Sequence, residues 1–166
     1  MSKTNENLAA AFSGESQANR KYLAFAERAE RDGKPNLARL FRVAAEGETV
    51  HALNHLAALG GVKTTKENLE AAIGGEIYEI EKMYPQFISE LEEGEAKAKM
   101  SLTGAEKVEE IHQKFFQEAL SRLEAGEDIA EGEYYVCPVC GLPALASAPA
   151  VCPVCGTPGN RFKLVQ

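Results

Sequence analysis

The chain has 166 residues, 45% of them hydrophobic, enough for one ordinary core and a small satellite unit. Its 18 Lys and Arg against 25 Asp and Glu give a formal net charge of -7, which disfavours a nucleic-acid partner. No apolar run is long enough to span a bilayer, and the opening MSKTNENLAAAF lacks the basic-then-apolar layout of a secretory signal, so the expectation is a cytoplasmic protein with no membrane partner.

Leu8, Phe12, Tyr22, Phe25 and Ala29 recur at helical spacing from Asn7 to about Asp32, where Gly33-Lys34-Pro35 interrupts the pattern. A second stripe of Leu37, Phe41, Ala44 and Leu59 runs to Gly60-Gly61, with Pro35 suited to its first turn. Thr64 and Glu67 have capping-box spacing and open a third helix with Leu69, Ala72, Ile80, Met83 and Phe87, which Pro85 should kink. The fourth helix starts soon after Gly94, carries Ala105, Val108, Phe115 or Phe116, Ala119 and Leu123, and ends near Gly126. EDIAEGE at 127–133 reads as a polar linker. Beyond it Asp and Glu vanish, and Arg161 and Lys163 leave the tail at +2 against -9 for residues 1–133. Dense Pro and Gly there suit turns and short strands. The predicted organisation is mainly α, with a four-helix bundle over 1–130 and a small metal-binding module over 131–166.

Core-facing helix stripes should be apolar, yet Glu15 lies seven residues from both Leu8 and Tyr22, and Glu48 and His51 continue the stripe of Leu37, Phe41 and Ala44. A charge in such a place needs a partner. Glu76 lies on the third stripe, and Glu109 with His112 on the fourth. Glu15 to Glu48 and Glu76 to Glu109 are both 33 residues, and Glu15, Glu48 and His51 each precede Glu76, Glu109 and His112 by 61, an internal duplication of Glu then Glu-x-x-His. Any one of these carboxylates alone is better read as a solvated face; the matched offsets favour ligation. Carboxylate oxygen with imidazole suits iron or manganese, and a single Glu from each of two helices with Glu-x-x-His from two others is the ligand set of di-metal bundles. Glu79 is an added seventh candidate, because its counterpart is Ala18, while His55 faces Phe116 in the duplication and reads as structural or supporting. Glu46, Glu81, Glu106 and Glu110 fit no offset and read as solvated. Gly14, Gly47 and Gly75 each precede a candidate ligand, which predicts close helix approach or crowding near the metals.

Cys137, Cys140, Cys152 and Cys155 form two CPVCG knuckles, a far more specific signal than any single helix motif. Each presents two thiolates from one tight turn, so the pair makes an S4 site for zinc or for one redox-active iron. Tyr134, Tyr135 and Phe162 are expected to cover it, although a small apolar core would explain them equally.

Taken in order, SGESQANRKYLAFAERAE, AAEGETVHALNHL, GGEIYEIEKMYP, AEKVEEIHQKF and the two CPVCG knuckles resemble the rubrerythrins along nearly the whole chain. The resemblance implies a ferritin-like four-helix bundle with two iron ions and a rubredoxin-like module with a third, zinc or manganese being alternative occupants. It implies that Glu15 and Glu76 are terminal ligands, that Glu48 and Glu109 bridge, and that His112 completes the second iron. Glu79 and His51 would exchange at the first iron on reduction, and Tyr22 and Tyr84 would hydrogen-bond ligand carboxylates or peroxide. The implied activity is a peroxidase converting hydrogen peroxide to water in oxidative-stress defence, fed by a rubredoxin or a flavin-dependent reductase. Ferrous-iron oxidation and storage is a second class, which the fused S4 module disfavours, and a zinc-ribbon interaction protein a third, which would be colourless. In ferritin-like bundles the second and third helices run parallel, so their connection spans the bundle, about 33 Å here, whereas Gly60 to Lys66 reaches at most about 25 Å. This predicts a domain-swapped homodimer.

Overall fold

The computed structural model describes residues 2–165 and divides into two compact units, Met1–Lys63 and Thr64–Gln166. The first is a helical hairpin of α1 (Lys3–Arg31) and α2 (Pro35–Ala58). Ser2 caps α1, its hydroxyl accepting from the Asn5 amide, and Gly33 at φ 67° makes the turn before Pro35 enters α2. Ala38, Ala45 and Ala52 recur every seventh residue on the buried face of α2. Their small side chains let the helices approach closely, around a core of Ala26, Ala29, Ala38 and Phe41. Asn19 pins the register: its amide donates to the Ala45 carbonyl at 2.7 Å and to the Thr49 hydroxyl at 2.9 Å.

The second unit opens with α3 (Thr65–Tyr78), and the capping box forms as expected, with Thr64 and Glu67 each satisfying the other's backbone amide. The expected kink takes a specific form. A π turn, Glu79–Met83, separates α3 from α4 (Tyr84–Ser89), and the Tyr84 amide bonds the Glu79 carbonyl. Pro85 explains it, because it has no amide to donate and its ring would strike a carbonyl one α-turn back. Helix α5 (Ala96–Glu124) packs on α3, and Lys66 pairs with Glu124 at 2.7 Å.

The same unit holds a three-stranded antiparallel sheet in the order β2-β1-β3, with β1 Tyr134–Val136, β2 Pro143–Leu145 and β3 Lys163–Val165. Both knuckles close alike: Cys137 N–H donates to the Leu142 carbonyl and Cys152 N–H to that of Thr157. Gly141 and Gly156 have φ of 85° and 75°, which a side chain would resist. The module is seated on α5. Val108, 2% exposed, shares a core with Cys137, Leu142 and Cys152, flanked by Ile111, Cys140 and Phe162. No helix among the described residues is long and apolar enough to cross a membrane.

Candidate metal centres

Helical periodicity places three ligand atoms together in each unit. In the first, ligand atoms of Glu15, Glu48 and His51 lie within 4.8 Å of one another, and in the second so do those of Glu76, Glu109 and His112. The i, i+3 spacing does the local work: His51 Nδ1 sits 2.9 Å from Glu48, and His112 Nδ1 2.6 Å from Glu109 and 3.8 Å from Glu76. The duplication read from the sequence is thus a duplication of geometry.

Crowding of like charge tests whether these residues suit a cation. Burial, then the charge of Glu109, pushes the Glu76 carboxyl up to about 7 despite the opposing pull of His112. Glu79 is raised by the same burial and the same neighbour, and the Tyr84 phenol by burial and by Glu109, Glu79 and Glu76. A divalent cation would offset this repulsion, so the donor set fits the di-iron occupancy of the class. Glu79 joins this electrostatic cluster without sharing the three-atom contact. His55 is half-buried on α2 and outside the cluster, and Glu46, Glu81 and Glu110 are exposed, while Glu106 is half-buried. Tyr22 has its ring in an aromatic group with Phe25 and Phe41, at centroid distances of 6.3 and 6.4 Å.

The expected crowding at glycine is not found within either unit: a Cβ added at Gly14, Gly47 or Gly75 meets nothing within 4 Å.

All four thiols are reduced and clustered, with Cys137 Sγ 3.6 Å from Cys155 Sγ and Cys140 Sγ 3.5 Å from Cys152 Sγ. A tetrahedron of thiolates at about 2.3 Å from a metal has edges of about 3.8 Å, so the cluster fits an S4 metal and is far wider than a disulfide. Burial pushes the Cys155 thiol up, but hydrogen bonds from the Thr157 side chain and backbone prevail and bring it down to about 6. Of the three aromatic residues expected as cover, only Phe162 packs on the cysteines. Tyr134 instead stacks edge-on with Phe115 of α5 at 6.4 Å, and the Tyr135 hydroxyl donates to Glu133. Their places are taken by Val108, Ile111, Leu142 and Val154. The fourth-helix stripe is therefore two stripes, one bearing Glu109 and His112 and the other, about a quarter-turn away, seating the cysteine module.

Two helical hairpins each bearing Glu and Glu-x-x-His, with a four-cysteine knuckle module after them, define a ferritin-like di-iron protein with a rubredoxin-like domain. The model of the rubrerythrin family matches residues 6–120, and the chain belongs to that family. It is 36% identical over 157 residues to rubrerythrin-2 of Clostridium acetobutylicum, covering 86% of this chain and 85% of that one. It is 35% identical over 153 residues to nigerythrin of Nitratidesulfovibrio vulgaris, covering 83% and 74%. A solved structure of nigerythrin in a partially reduced state aligns with a TM-score of 0.57 at 31% identity, covering 99% of this chain and 88% of that one.

Proposed function

We propose that this chain is a non-haem peroxidase of oxidative-stress defence, reducing hydrogen peroxide to water in the cytoplasm with electrons that enter through the four-cysteine site. One observation carries the reading: α5 holds Glu109 and His112 on one face and seats the cysteine module on the next. Iron held by the carboxylates and imidazoles would supply two electrons to peroxide, which with two protons gives two waters, and iron in the S4 site would return them singly. The chain's own residues do the rest. Glu15, Glu48, Glu76, Glu109 and His112 would hold the two ions, and Glu79 and His51 would be the residues that exchange on reduction. Tyr84, its phenol held protonated by burial and three carboxylates, donates to a carboxylate or to bound peroxide. Tyr22 does the same from the first unit. Residues 1–130 form the di-iron part and 131–166 the electron inlet, served by a rubredoxin or a flavin-dependent reductase.

Each unit supplies half of the ligand set, and the complete site takes one hairpin from each of two chains in a domain-swapped homodimer. Glu48 lies ten residues before the end of α2 and Glu76 eleven after the start of α3. A parallel crossing therefore spans about 31 Å, while the seven Cα steps from Ala58 to Thr65 reach about 25 Å at full extension.

The test is stopped-flow mixing of the iron-loaded, anaerobically reduced protein with peroxide or oxygen. Oxidation by peroxide should be much faster. Faster oxidation by oxygen, with iron retained as a mineral, would instead indicate an iron-handling protein. Cys152→Ser should abolish donor-driven turnover while the chemically reduced protein still consumes peroxide, and Glu79→Ala should slow redox cycling more than it weakens metal binding. Undiminished donor-driven turnover in Cys152→Ser would rule out the module as inlet.

A further inference from the structure

The two knuckles are near-copies, CPVCGL and CPVCGT, with the same backbone hydrogen bonds. They differ at one buried position. Leu142, 5% exposed, contributes apolar packing, whereas Thr157, 6% exposed, places its hydroxyl 3.1 Å from Cys155 Sγ. A buried hydroxyl needs a partner, and at that position the first knuckle manages without one. A sulfur bound to metal carries no proton, so the hydroxyl must be the donor.

We propose that Thr157, by donating its hydroxyl hydrogen bond to Cys155 Sγ, raises the reduction potential of the four-cysteine site above what the sulfurs and backbone amides alone would set. The inference rests on reading that site as the iron-bearing electron inlet. Its sign follows from charge. Four thiolates with ferric iron carry a net charge of -1, and one added electron makes it -2, with no bond broken and no proton required. A donor aimed at sulfur stabilises the more negative state more, so it favours reduction. Thr157 is a positioning and tuning residue, since it touches the sulfur and neither the metal nor a substrate. Its consequence is that a weaker one-electron donor suffices to fill the inlet.

Spectroelectrochemical titration of the iron-loaded full chain, read at the S4 absorption, tests it. Thr157→Val keeps the shape and removes the hydroxyl. It should shift the reduction equilibrium about tenfold toward the oxidised form, a fall of about 59 mV for a one-electron couple. Thr157→Ser should restore the wild-type potential. Equal potentials in wild type and Thr157→Val would overturn the proposal. If Thr157→Val fails to fold, the cadmium-loaded wild-type chain decides by NMR. A Thr157 hydroxyl proton that exchanges slowly with water and couples to the metal through sulfur supports the bond, and a freely exchanging, uncoupled proton refutes it. A chain that takes up zinc but never iron would overturn the inlet reading itself, and the tuning role with it.

Discussion

Glu76 concentrates at one atom what convergence of like charges does. Its carboxyl rises from 4.5 to about 7 through burial, then Glu109, with His112 opposing. Below about pH 4.5 the folded and unfolded chains both hold this proton, so the group contributes nothing to the pH dependence of stability. Between about 4.5 and 7 only the folded chain keeps it, so stability falls as pH rises; above 7 both forms are ionised and the loss is complete. The metal-free protein should therefore melt progressively lower across that window relative to Glu76→Gln, with a constant difference above it. Melting temperatures that run parallel throughout would show that the shift is absent. Metal loading near pH 6 should also release up to about one proton from this carboxyl. Both clusters of Glu and His were legible in the sequence, because a charge on an apolar stripe violates a strong rule and the 61-residue offset repeats the violation. Thr157 was not legible: nothing in CPVCGT says that its hydroxyl will be buried against sulfur.

At the level of elements, helix limits and the capping box follow from punctuation by glycine, proline and threonine, and the structure agrees. The π turn does not follow, because periodicity arguments assume one constant twist. Its effect is large. In an unbroken α-helix Tyr84 would point about 80° away from Glu76, whereas one residue absorbed by the wider turn brings it within about 20°. Inserting one alanine after the exposed Lys82, one residue more than the π turn absorbs, should keep the helix content and swing Tyr84 about 80° away from the carboxylates. Its phenol should then titrate nearer the ordinary tyrosine value, as seen in the tyrosinate absorbance that Tyr84→Phe removes. An unchanged titration would mean that the register set by the π turn does not position Tyr84. The double face of α5 was hidden for a related reason: Val108 looks like one more bundle-core residue until the cysteine module is seen resting on it.

For the whole molecule, chain length and the halved ligand set bear on assembly. If each site takes one hairpin from either chain, two inactive variants can rescue one another. Mixing Glu15→Ala with Glu109→Ala chains under conditions that permit exchange should give mixed dimers with one fully intact site of two. Random pairing restores about a quarter of the wild-type sites. Sites closed within one chain would give no recovery, so peroxide consumption after unfolding and refolding the mixture decides the matter. The sequence conveyed the architecture well because both metal sites are encoded by spacing, which survives in one dimension. It conveyed the seating of the module poorly, since that depends on which flank of a helix an apolar residue occupies.

The seat at Val108 also bears on how the molecule can be cut. Cys137, Leu142 and Cys152 shield an apolar strip of α5 comprising Val108 and Ile111, and Tyr134 covers Phe115. A chain ending near Gly126 would lose its four-cysteine tail and also uncover a greasy ridge beside Glu109 and His112. Such a fragment would clump or recruit a surrogate surface, so the tail is a lid on the helix as well as the proposed electron inlet.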